Sequence, residues 1–132
     1  MRNENAIPAN DPVSGAPRRA PVVAKAALRA AALLGLSGKE LTAVIGVSEA
    51  TLSRLRRAPD AAALPGKAYE LALLFIRLYR SLDAITGGDD AASRRWMRAE
   101  NSALGGTPAS RIRTVDGLAH VLAYLDARRA PV

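Results

Sequence analysis

No cysteine occurs in this chain of 132 residues. That excludes disulfides, thiol nucleophiles and thiolate metal sites. Histidine is almost as scarce: His120 stands alone, one position from an apolar stripe, and reads as a packing or surface residue. No apolar run reaches the roughly 20 residues that span a bilayer. Arg2 is followed by no apolar segment of the kind a secretory signal carries. Neither a phosphate-loop glycine pattern nor a metal-ligand spacing is present. Adjacent Asp89 and Asp90 stand at an expected helix start, where carboxylates favour the macrodipole, so they do not read as a catalytic pair. β-Branched residues are sparse and no alternating run develops, whereas alanine is abundant. These absences predict an all-α, soluble, cytoplasmic protein that is not an enzyme and needs no cofactor or metal. The 49% hydrophobic content argues against wholesale disorder and is enough to build a core.

What is present is a basic excess, +7 overall, which suits an anionic partner without selecting nucleic acid over another acidic surface. Residues 21–67 hold seven basic and three acidic side chains, a net +4; residues 68–132 hold nine and seven, a net +2. The shorter stretch therefore carries the denser charge, and its pattern is distinctive. Residues 37–57, SGKELTAVIGVSEATLSRLRR, read as two short helices about a turn at Gly46. Ser37 and Glu40 have the Ser-x-x-Glu spacing of a capping box. Leu41, Val44 and Ile45 give the first helix one apolar face, and glycine at 46 can take the positive φ that ends it. Ser48 is a good N-cap for the second helix, which turns Leu52 and Leu55 inward. The unit predicted is a helix-turn-helix, whose second helix can enter the DNA major groove. The outward residues Ser48, Glu49, Ala50, Ser53, Arg54 and Arg57 are the candidate DNA contacts. Arginine pairs bidentately with guanine, and small side chains permit close approach to base edges. Glu49 opposes this by placing a negative charge near phosphates. A single such unit touches few bases, so a homodimer reading two half-sites is expected.

The remainder of the chain organises around that unit. Residues 1–20, with Pro8, Pro12 and Pro17, read as a flexible arm ending in Arg18 and Arg19. Such an arm is a solvated tail or a minor-groove contact. Pro21 suits the start of a support helix over 21–34, with Val22, Val23, Ala26, Ala27, Ala30, Leu33 and Leu34 on its inner side. Residues 58–66 contain Pro59, Pro65 and Gly66 and read as a linker, which bounds a helix-turn-helix domain at 21–66. A helix over 67–86 is apolar almost all round; it is either the spine of two lobes or partly an interface with another chain. Asp89 caps the next helix, predicted to turn Ala92, Trp96 and Ala99 inward and Arg94, Arg95 and Arg98 outward. Thr107-Pro108 opens a short helix, and Thr114 caps a last one with Leu118, Val121, Leu122 and Leu125 as its apolar stripe. This second lobe is placed at 67–127, leaving a tail at 128–132.

The second lobe carries an ordered series: Trp96-Met97, Glu100-Asn101, Leu104-Gly105-Gly106, Thr107-Pro108 and Thr114-Val115-Asp116-Gly117. This series resembles the toxin-binding domain of Xre/MbcA/ParS antitoxins, a domain that in that family follows an Xre-like helix-turn-helix. Trp96, Asn101, Gly105, Gly106, Pro108 and Gly117 are the positions that carry the match. The resemblance covers roughly residues 21–126 and implies a type II antitoxin that neutralises a partner toxin and represses its own operon. It further implies that the toxin is NAD-directed, either a RES-type protein that consumes NAD or a related ADP-ribosyltransferase. On the residues themselves, Trp96 reads as the largest core side chain, Gly105 and Gly106 as a turn, and Asn101 as a left-handed helix cap. The candidate toxin contacts are the last helix and the tail, particularly Arg128 and Arg129: the tail would cap the toxin's phosphate-binding pocket, with the arginines as bidentate donors to its acidic or polar rim. A stand-alone transcriptional regulator whose second lobe dimerises or senses a ligand is the alternative. A structural adaptor would leave the outward side chains of the second helix without a purpose.

Overall fold

The computed structural model describes the backbone of residues 12–60 and 64–129, and side chains from Pro21 onward within those ranges. Seven helices account for the described architecture: α1 Pro12–Leu33, α2 Gly38–Ile45, α3 Glu49–Arg57, α4 Gly66–Ile85, α5 Asp90–Arg98, α6 Pro108–Arg111 and α7 Val115–Arg129. The all-α expectation holds. The expected arm does not hold over its second part, because α1 begins at Pro12 and passes through Pro17 and Pro21. Proline supplies a helical φ at the cost of one backbone donor, and here it does not stop the helix. Residues 1–11 of that arm lie outside the described residues.

The inner side of α1 is also rotated from the expected one. Val23, Ala24, Ala27, Ala30, Ala31 and Leu34 are buried, whereas Val22 is 69% exposed. These positions recur at i, i+4, i+7 and i+8, the helical repeat of a single stripe, and their small side chains let α4 approach closely. Ser37 and Glu40 close the capping box in both directions: the Ser37 N–H donates to Glu40 Oε1 at 2.8 Å, and the Glu40 N–H donates to Ser37 Oγ at 3.1 Å. Gly46 has φ 71° and its N–H donates to the Thr42 carbonyl, which ends α2. Ser48 caps α3 by accepting from the Thr51 N–H. Leu41, Val44 and Ile45 of α2 and Leu52 and Leu55 of α3 are buried together, the predicted helix-turn-helix.

Helix α4 is the spine. Ala68, Leu71, Ala72, Phe75, Ile76, Leu78 and Leu82 are buried, and α4 packs against α1 and α2 on one side and α7 on the other. Its near-uniform apolarity thus reflects contact with both halves, while Leu73 remains 41% exposed. Buried residues from Val23 in α1 to Leu125 in α7 form one continuous core. Helix α7 buries Leu118, Val121, Leu122 and Leu125 as its spacing predicts. Helix α5 departs from expectation: its buried residues are Ser93 and Met97, with Ala99 exposed and Trp96 only partly covered. The inward row is shifted by one position, about 100° around the helix. No helix among the described residues is long and apolar enough to cross a membrane.

Candidate functional site

Two surfaces carry the candidate chemistry. The first is the outer side of α3. Ser48, Glu49, Ala50, Ser53, Arg54 and Arg57 are all exposed, so the structure gathers the six predicted DNA contacts on one short helix. Ser48 and Thr51 form a local pair, because the Ser48 hydroxyl accepts the Thr51 N–H at 3.1 Å and donates to Thr51 Oγ1 at 3.1 Å. Arg54 Nη2 then donates to the same Thr51 Oγ1 at 3.0 Å. Thr51 therefore belongs to this site although sequence reasoning passed over it; its signal was the i, i+3, i+6 spacing of Ser48, Thr51 and Arg54. Arg56 lies elsewhere, with its guanidinium over the backbone of Gly38, where a Cβ would sit 3.0 Å from Nη1 and Nη2.

The second surface is formed by α5, α6 and α7, and the motif residues build its frame. Trp96 does not enter the core. Its ring stacks on Tyr124 of α7 with centroids 6.3 Å apart and planes inclined by 24°. Arg128 places its guanidinium 4.4 Å from the centre of the Tyr124 ring, completing a surface row of indole, phenol and guanidinium. Asn101 is not a helix cap either. Its carbonyl accepts from the N–H groups of Leu104 and Gly105 at 3.0 Å each, its own N–H donates to the Gly106 carbonyl at 3.1 Å, and its Oδ1 accepts from the Ala103 N–H. The Asn101 backbone thus closes a six-residue loop, its side chain holds the Ala103 N–H inside it, and Gly105 takes φ 74°. Thr107 caps α6 and Pro108 occupies its first turn. Gly117 is required by packing, since a Cβ there would overlap the carbonyl oxygen of Arg111 and lie 2.7 Å from its carbon.

Polar contacts tie these surfaces to the spine and to each other. Arg129 donates to Ser81 Oγ at 3.0 Å, Ser81 donates to Asp126 Oδ1 at 2.8 Å, and Arg77 donates to Asp126 Oδ2 at 2.9 Å. Both predicted toxin-contact arginines therefore lie on α7 itself, Arg128 over Tyr124 and Arg129 against α4. Arg98 spans the two halves: Nη1 and Nη2 meet the two oxygens of Glu40 at 2.6 and 2.8 Å, and Nη2 also donates to the Gly35 carbonyl at 2.7 Å. The Arg98 guanidinium, aided by the Ser37 N–H and opposed by partial burial, holds the Glu40 carboxyl at about 2 against an ordinary 4.5. Between α1 and α4, a groove of about 410 Å³ is lined by Arg29, Tyr79, Arg80, Asp83 and Asp90. Charges of both signs face it. Among the described residues no group of three His, Asp or Glu side chains is placed to hold a metal ion.

Comparison with known families decides what these surfaces belong to. Residues 15–77 match the antitoxin Xre-like helix-turn-helix domain, and residues 81–130 match the antitoxin Xre/MbcA/ParS C-terminal toxin-binding domain. The chain belongs to the Xre/MbcA/ParS antitoxin family. No curated protein matches the chain. In this antitoxin the two matches meet inside α4, so the helix that carries the common core is also the seam between the domains. The α3 surface lies within the helix-turn-helix domain, and the Trp96–Tyr124–Arg128 row lies within the toxin-binding domain.

Proposed function

We propose that the antitoxin neutralises an NAD-directed toxin through the Trp96–Tyr124–Arg128 row and, as a homodimer, represses its own operon through α3. The row carries this reading. Tryptophan, tyrosine and arginine dominate the energetics of protein interfaces, and here they stand stacked on the toxin-binding domain, Trp96 and Tyr124 half-covered and Arg128 exposed. Stacking fixes them before a partner arrives, which lowers the ordering cost of binding. Arg128 adds planar donors suited to the acidic or polar rim of an NAD pocket. Arg129 serves beside it by holding the end of α7 against Ser81. The operator reading rests on the exposed, basic outer side of α3, with Arg54 as the base-reading side chain and Arg57 on phosphates.

The test is co-expression with the toxin encoded beside this reading frame, with cellular NAD as the measure. The full-length antitoxin preserves NAD. Arg128→Ala and Trp96→Ala weaken toxin binding by about 30-fold or more in the purified complex, the scale of an interface hot spot. Wild-type affinity in both variants defeats the proposed surface, and NAD that the toxin alone leaves intact defeats the proposed toxin class.

A further inference from the structure

We infer that Thr51 is a positioning residue for operator reading, one that sets the guanidinium of Arg54 and presents its own hydroxyl proton to the DNA. The inference rests on the operator reading above and adds to it a residue outside the six candidate contacts. Ser48, Thr51 and Arg54 follow one another at intervals of three along the exposed side of α3, so their side chains form one row. Side chains on a helix lean toward its N-terminus, which brings Arg54 back over the turn that holds Thr51. The 3.0 Å bond from Arg54 Nη2 to Thr51 Oγ1 fixes that lean. The guanidinium is thereby held beside the first turn of α3, and in a helix-turn-helix the residues at the start of the second helix are the ones that meet base edges. One of five guanidinium donors is used, which leaves enough for a bidentate pair with guanine O6 and N7.

The hydroxyls divide the remaining work unequally. Ser48 accepts from the Thr51 N–H as the helix cap and commits its proton to Thr51 Oγ1. Thr51 Oγ1 accepts twice, from Ser48 and from Arg54, so among the described residues its own proton is uncommitted. A hydroxyl in that state can donate to a phosphate or a base acceptor without breaking the row. Ser48, an outward candidate in the sequence, is thus a structural member of the site, and Thr51 supplies the donor.

The experiment starts from the duplex that full-length antitoxin, with its toxin, enriches from a randomised pool, followed by binding to that duplex and to its single-base variants. Thr51→Val keeps the β-branched shape and the capped backbone N–H but loses the hydroxyl. Its affinity is expected to fall about three- to tenfold, the scale of leaving one long side chain unordered. Discrimination is expected to relax at the same base pair that Arg54→Ala relaxes. Thr51→Ser restores both. Thermal melting of each variant separates loss of fold from loss of reading. Uniform weakening across sequences, or Thr51→Val behaving as wild type while Arg54→Ala does not, overturns the inference and leaves the operator reading standing. Failure to enrich any duplex, or no effect of Arg54→Ala, overturns the operator reading and this inference with it.

Discussion

Gly117 shows at single-residue scale what a motif position is for. Glycine there is legible in the sequence as one member of an ordered series, but nothing local demands it. Gly117 is buried in the first turn of α7, where Thr114 Oγ1 accepts its N–H at 3.0 Å. The demand comes from the Arg111 carbonyl, which crosses so close that a side chain has no room. Alanine is ordinarily the better helix former by about 1 kcal/mol. Gly117→Ala is nevertheless expected to destabilise the antitoxin by about 3 kcal/mol, at the upper end of overpacking, because backbone rather than a flexible side chain must yield. Urea unfolding measures it, and a midpoint at or above wild type contradicts the account. Trp96 teaches the reverse lesson. Its size suggested the core, yet the core row of α5 is filled by Ser93 and Met97. Size alone does not fix which way a residue faces on a nine-residue helix with so few apolar positions, whereas the stripe of three leucines and one valine on α7 left no such freedom.

At the scale of elements, α2 and α5 are joined by a contact of which the sequence held half. The Ser37-x-x-Glu40 spacing announces a capping box, and both of its bonds are present. That Arg98 meets the same carboxylate from 58 residues away is a tertiary fact with no local signature. The contact has a pH consequence whose sign is fixed. Glu40 has a depressed pKa in the folded chain, so between its ordinary 4.5 and about 2 the unfolded chain binds more protons. The stabilisation is fully present above the unfolded value and is lost as pH falls toward the folded one. Arg98→Ala is expected to lower stability at neutral pH and to flatten its decline between about pH 4.5 and 2, with Ser37 sustaining a remnant. Chemical denaturation at a series of pH values checks this, and an unchanged acid slope would falsify it. The half-exposed guanidinium keeps the effect modest and sensitive to salt.

The whole molecule is less divisible than its two family matches imply. Pro59, Pro65 and Gly66 are legible as a break after α3, and the all-round apolarity of the next helix is legible as burial on several sides. Which neighbours bury that helix was not, because composition records that a surface is covered and not by what. In the structure α4 leaves the helix-turn-helix in sequence and returns to it in space, covering α1 and α2 while α7 covers its other side. A fragment of residues 1–66 lacks Leu71, Phe75 and Ile76 and so leaves the inner sides of α1 and α2 in water. It is expected to give a poorly dispersed amide spectrum and no cooperative melt, and to bind duplex DNA far more weakly than the intact chain. A cooperative melt for that fragment contradicts the shared-core reading. The seam within α4 also bears on how such antitoxins can be recombined. A chimera that joins α1–α3 of one relative to α4–α7 of another sets α1 and α2 against an α4 with which they never packed, and its Arg98 no longer meets its own Glu40. Exchange of partner specificity is therefore open to substitutions on the surface of α5 and α7, and closed to a cut at the linker.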